Sequence, residues 1–216
     1  MDQFNFSYDQ LKSFIEIVKR KNLDRLNQLG GVKGLAMTLQ THVEHGIHGD
    51  TQEILRRQTV FGANTYKKPP AKVSAVSNYR QSKQFNKLSN ANNNIPVDVV
   101  RYGRRQKISI FDIVVGDIVY LSIGDQIPAD GLFSDGQSLQ VDESRMIGES
   151  EHVEVDGSKN PFLFSGAKVV DGYAHMVVTF VGKNTSWGEM MSSISRDNNE
   201  RTPLQARLDK LTSSID

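Results

Sequence analysis

The chain has 216 residues, 38% of them hydrophobic and 24% charged, and its formal net charge is +1. That is enough to bury a core in one large domain or two small ones, and it gives no global field for nucleic acid. With no Cys, disulfides, Cys-ligated zinc and thiol nucleophiles are excluded together, and no apolar run reaches the roughly 18 residues of a membrane span.

The chain opens helical. Ser7 with Gln10 makes a capping box, and Leu11, Phe14, Ile15 and Val18 form an apolar stripe. Leu23, Leu26 and Leu29 predict a second short helix, closed by Gly30 and Gly31 where a C-cap needs positive φ. Val32 to Leu39 predicts a third. Asp50 with Glu53 opens a fourth, which runs to about Phe61 and stops at Gly62. Pro69-Pro70 breaks regular structure. Val73 to Leu88 reads as a polar, basic helix, followed by an Asn-rich loop.

From Pro96 the period changes to two. Short strands are predicted at 97–100, 107–110, 118–123, 131–133, 139–141, 162–164 and 175–181, with Gly and Asp between them. Many short strands with such turns argue a sandwich or roll rather than a doubly wound sheet. Thr202, Pro203 and Gln205 then open an exit helix striped by Leu204, Leu208 and Leu211. It reaches Asp216 without a stop signal. The predicted class is α+β: small helices, a β core and an exit helix.

Charge is uneven. Between Arg56 and Lys107 stand 12 Lys or Arg and one acid, Asp98; between Asp112 and Asp156 stand 11 Asp or Glu and one base, Arg145. The plain reading is two solvated faces of opposite sign. The sharper reading sets the basic stretch against phosphate, in lipid headgroups or nucleic acid.

The densest constellation for chemistry is 141–150, which holds Asp142, Glu143, Ser144, Gly148, Glu149 and Ser150, with Asp125 and Asp130 ahead of it in 124–131. Gly148 allows close backbone approach to a ligand, and Glu149 could take a proton from water. The competing reading is an acidic surface loop whose side chains cap turns. His42, His45 and His48 recur every third residue. On one helical face they could ligate a metal, but Gly46 and Gly49 interrupt the helix and the expectation is no metal site. Residues 182–185 resemble the end of a phosphate loop but lack Ser or Thr after Lys183. The glycosylation patterns at Asn5 and Asn184 read as caps or turns, and Trp187 as core.

Together, 116–119 (Gly-Asp-Ile-Val), 124–131 (Gly-Asp-Gln-Ile-Pro-Ala-Asp-Gly), 142–144 (Asp-Glu-Ser) and 148–150 (Gly-Glu-Ser) resemble the actuator domain of a P-type ATPase. The flanks at 30–36, 61–66, 76–85 and 202–208 are similar to plant autoinhibited, plasma-membrane-type calcium pumps, so the resemblance covers nearly the whole chain. It implies a distorted β-roll or jelly-roll-like core. It also implies that the first two membrane helices are missing between Lys72 and Val73, and that a third would begin past Asp216. The parts become 1–72, the N-terminal helical part; 73–95, a stalk-like helix and loop; 96–201, the β core; and 202–216, the exit helix.

The resemblance further implies a mechanism. Another domain of the pump is phosphorylated on Asp by ATP with Mg2+, and Ca2+ is the transported ion. The actuator brings Glu149 to that aspartyl phosphate to activate water. Gly148 permits the approach and Ser150 holds the loop. The family reads Thr where this chain has Ile147, and a Thr hydroxyl can bond at phosphate while Ile cannot. No cofactor is expected in this chain, which by itself should not hydrolyse ATP. Expected partners are the phosphorylation and nucleotide-binding domains and the membrane helices, on the cytosolic face of a membrane, the plasma membrane first. Anionic lipid and calmodulin are candidate partners and nucleic acid is not. Residues 8–21 are amphipathic and basic, as calmodulin needs, but read as a packed helix. The alternative function is a regulatory module that docks its basic stretch on anionic lipid or a partner.

Overall fold

The computed structural model describes residues 13–14, 17–65, 94–144 and 152–197. The predicted helices at 73–88 and 202–216, the Ser7–Gln10 box and Ile15 lie outside them. Residues 17–19 are helical, and Phe14, Ile17 and Val18 are buried. Helix α1 (Leu23–Gln28) is capped by Asn22, whose side chain accepts from the Arg25 N–H. Helix α2 (Gly31–Thr38) follows from Gly30 in the left-handed region, φ 88°. Gly34 lets α2 turn back against α1, because a Cβ there would sit 1.7 Å from the Leu29 carbonyl oxygen. Helix α3 (Thr51–Phe61) starts on Asp50, which accepts from the Glu53 N–H at 2.8 Å, and ends at Gly62 with φ 92°.

The β core is one antiparallel sheet of seven strands, and the α+β class holds. Its strands are β1 (Pro96–Arg101), β2 (Arg104–Ser109), β3 (Ile118–Ser122), β4 (Asp130–Asp142), β5 (His152–Val155), β6 (Phe162–Leu163) and β7 (Lys168–Phe180). The order is β2-β1-β3-β7-β4-β5, with β6 also on β4. A last helix, α4 (Ser186–Asp197), follows a short 3-10 turn (Gly182–Asn184).

Two predicted strands, 131–133 and 139–141, are one strand. Ser138, which looks like a turn residue, sits inside a register shift between β4 and β7, and Gly136, paired with Ala174, lies between two such shifts. Such bulges bend a strand without ending it. Strand β5 and helix α4 were not predicted. β5 is short and lies in an acidic stretch, and α4 is rich in Ser with a Gly, poor helix formers.

Helices and sheet share one core. Leu26, Leu35, Leu39 and Phe61 pack into the same cluster as Val99, Ile118, Leu132 and Val177. Burying each such side chain contributes about 1.5–3 kcal/mol. Asn64 adds a polar strap. It is fully buried, donates to the carbonyls of Ile110 and Pro128, and accepts from the Gly182 N–H at 2.8 Å.

Candidate functional site

The 116–119 segment is a structural joint. Asp117 is fully buried and takes a two-pronged guanidinium contact from Arg101, at 2.7 Å on each oxygen. It also accepts from the Val114 N–H. Burial pushes its pKa up, and Arg101 pulls the other way. Gly116, φ 93°, leaves room for Arg57, since a Cβ there would meet Arg57 Nη1 at 2.5 Å. Arg57 is also fully buried. It donates to the carbonyls of Leu39, Gln40 and Val115 and pairs with Glu53 at 2.8 Å, so it ties α3 to the end of α2 and to the turn that leads into β3. Burial lowers its pKa, and Glu53 opposes that.

The 124–131 segment is structural as well. Asp125 closes a turn by accepting from the Ser122 N–H. Asp130, fully buried at the start of β4, accepts from the Ser165 N–H at 2.8 Å, the Ser186 N–H at 2.7 Å and the Ser186 hydroxyl at 2.8 Å. Burial pushes its carboxyl up, and these donors favour its charge. Its position at the first residue of α4 suits the positive end of a helix.

At the far end of β4, Asp142 lies opposite His152 of β5 and accepts from the Ser144 N–H at 2.8 Å. Residues 143–151 join these two strands. Glu143 beside them is buried, and Lys21 Nζ stands 3.8 Å from its Oε2. Among the described residues no hydrogen bond reaches its Oε1. Lys21 lies over the Phe164 ring at 4.9 Å, and Lys19 pairs with Glu189 of α4. The N-terminal helical segment therefore touches both the root of 143–151 and the last helix. The predicted catalytic set, Ile147, Gly148, Glu149 and Ser150, lies outside the described residues.

Residues 91–195 match the family model of the P-type ATPase actuator domain. The chain carries that actuator domain. It is 49% identical to the plasma membrane-type calcium-transporting ATPase 12 of Arabidopsis thaliana over 94% of its length, and 47% identical to the putative plasma membrane-type calcium-transporting ATPase 13 of the same plant over 99%. It is 46% identical to the plasma membrane-type calcium-transporting ATPase 7 of Oryza sativa subsp. japonica over 94%. The chain spans only 25–26% of the length of these relatives.

Within the actuator domain, several sequence readings change. The basic and acidic stretches are not simply two solvated faces, because Arg57, Arg101, Asp117, Asp130 and Glu143 are all internal. Burial cannot be read from charge order. Thr185 is buried and its hydroxyl accepts from the Gly188 N–H, so the 184–186 pattern is a helix cap, as expected. Trp187 packs on Gly166, where a Cβ would fall 2.7 Å from its ring. The three histidines do not share a helical face, because 42–46 is a turn closed by a bridge between His42 and Gly46. The structure groups His42 and His45 with Glu44, while His48 turns to the Tyr102 ring. Arg57 and Asn64 carry much of the architecture and were not singled out. A charged or amide residue inside an apolar helix end or loop was the available signal.

Proposed function

We propose that the chain is the actuator part of an ATP-driven calcium pump, and that Glu149 activates the water that hydrolyses an aspartyl phosphate in another domain. The observation that carries this is the fixed root of residues 145–151. Asp142 and His152 face each other across β4 and β5, while Asp125 and Asp130 are committed to turns and caps. The resemblance of 148–150 to the family's Gly-Glu-Ser segment assigns the proton transfer to Glu149. Water attacks phosphorus, Glu149 takes the water proton, and the Asp carboxylate leaves. Gly148 allows the approach and Ser150 steadies the loop. ATP and Mg2+ act in domains outside this chain, so the isolated chain lacks ATPase activity. Calcium as the cargo and the plasma membrane as the place come from the relatives' names, and the cytosolic face from the actuator resemblance.

The alignments support a missing membrane hairpin. They span 258 and 268 positions while using 94% and 99% of a 216-residue chain. About 55 positions of each relative thus have no counterpart here, enough for two spans of about 20 residues and a connection. The junction Lys72–Val73 is where we place it. Rotation of the actuator would then pull on 66–72, 73–88 and 202–216.

A regulatory role for the basic stretch is secondary. Arg104, Arg105 and Lys107 are exposed on edge strand β2, but edge cations also keep strands from pairing with other chains. A calmodulin role for 8–21 is disfavoured by the burial of Phe14, Ile17 and Val18.

The test is phosphoenzyme decay in the full-length pump. Glu149→Gln should form phosphoenzyme from ATP but lose it about 10²–10⁴-fold more slowly. Decay at the unaltered rate would overturn the assignment. Ile147→Thr should speed decay, and an unchanged rate would reject a role for the missing hydroxyl.

A further inference from the structure

The turn 42–46 presents three potential ligands on a rigid base. Its ends pair through His42 and Gly46, with the Gly46 N–H donating to the His42 carbonyl at 2.7 Å. The His45 carbonyl accepts from the Gly103 N–H and the Ile47 carbonyl from the Tyr102 N–H, both at 2.8 Å. The turn is therefore clamped to the tip of the β1–β2 hairpin. Gly103 makes room for it, since a Cβ there would meet the His45 ring at 3.1 Å. Gly46 is equally constrained, with a would-be Cβ 1.9 Å from the Val100 carbonyl oxygen.

On this base the Nδ1 atoms of His42 and His45 face each other at 3.0 Å. Glu44 lies between them in sequence, and one ligand atom from each of the three residues lies within 4.8 Å of the others. Two nitrogens bound to one ion at about 2.1 Å stand roughly 3.0 Å apart when cis in an octahedron and roughly 3.4 Å apart in a tetrahedron. The observed spacing fits the first. Two neutral imidazoles facing this way need one proton between their lone pairs, and a metal ion can replace it. The His42 ring is held in place by the N–H groups of Glu44 and His45, at 3.2 and 3.3 Å from Nδ1. Weakening these two long bonds is the cost of binding.

We propose that His42, Glu44 and His45 form a surface site for a divalent transition-metal ion of the zinc, cobalt or nickel class. Two imidazoles and one carboxylate leave positions open for water or for a ligand from a partner. The donor set separates the site from any handling of calcium or magnesium, which prefer oxygen ligands. His48 takes no part, because its ring packs edge-on against Tyr102 with centroids 4.8 Å apart.

The experiment titrates the chelator-treated 216-residue chain with Zn2+ by calorimetry and with Co2+ by visible absorption. One ion should bind, with ligand-field bands for Co2+, and excess Ca2+ or Mg2+ should not displace it. His42→Ala and His45→Ala should each weaken binding at least about tenfold. Glu44→Gln should weaken it, and His48→Ala should leave it unchanged. All three ligand side chains are exposed, so their removal should leave the fold intact, which far-UV circular dichroism checks. Wild-type binding no tighter than that of the double His42→Ala/His45→Ala variant would overturn the site. So would a loss in His48→Ala equal to that in His45→Ala, or unaltered binding in Glu44→Gln.

Discussion

The two ends of strand β4 hold buried carboxylates in opposite conditions. At its start, Asp130 accepts three hydrogen bonds from Ser165 and Ser186 and joins the strand to α4. Just past its end, Glu143 has a 3.8 Å approach from Lys21, and no hydrogen bond reaches Oε1 among the described residues. A buried charge with full partners locks its surroundings, whereas one with few partners leaves them less determined. The strand itself is paired on both sides at its far end as well, Asp142 with His152 and with Lys168, so the contrast lies in the two carboxylates.

The anchored end gives the largest expected effect. Asp130→Ala leaves two buried N–H groups and a hydroxyl without their acceptor and removes a favourable charge from the start of α4. The expected loss is about 3–5 kcal/mol, read by urea unfolding of the chain. Asp130→Asn should fall between that and the parent protein, since an amide keeps one acceptor but turns its NH2 toward existing donors. A loss under about 1 kcal/mol for Asp130→Ala would remove the contrast between the two ends.

How far the sequence carries this contrast depends on the residue. The helix ends were legible, because Asp50, Gly30 and Gly62 act through local backbone chemistry. The antiparallel β core was legible from its period and turns. The continuity of β4 was not, because Gly136 and Ser138 look alike in a turn and in a bulge until the partner strand β7 is known. The acids of 124–131 looked like candidates for chemistry for a similar reason. Asp130 is spoken for by Ser165 and Ser186, and those partners are distant in sequence. The grouping of the histidines was not legible, because only the turn brings Glu44 beside His42 and His45 and leaves His48 out.

Glu143 should respond differently to substitution. Glu143→Gln keeps the volume, removes a buried charge and supplies a donor. Stability should stay within about 1 kcal/mol or rise, since exchanging a poorly paired buried ion for a neutral group is often neutral or favourable. Lys21→Met should also cost less than about 1 kcal/mol, because the Lys21 side chain is 43% exposed. If Glu143→Gln destabilises the chain as much as Asp130→Asn, the two carboxylates are equally anchored and the contrast fails. In the full pump the same Glu143→Gln variant should change phosphoenzyme decay without abolishing phosphoenzyme formation, which separates the loop's root from the rest of the cycle.

The smallest effect lies in the middle of the sheet, where β7 meets β3. His175 is opposite Tyr120, with ring centroids 4.0 Å apart. Burial lowers its pKa below the ordinary value of about 6.5, and Arg105 lowers it further, while Asp135, 3.8 Å from Nδ1, pulls it up. The folded state therefore prefers the neutral ring. Between the lowered value and about 6.5 the unfolded chain holds more protons, so stability rises with pH. This contribution is fully present above about 6.5 and is lost as pH falls through that window. His175→Phe keeps an aromatic ring against Tyr120 and removes the titration. Unfolding midpoints at a series of pH values from 7.5 down to 5 should fall less steeply for the variant than for the parent chain. Parallel slopes would mean that the ring is solvated well enough to protonate in place.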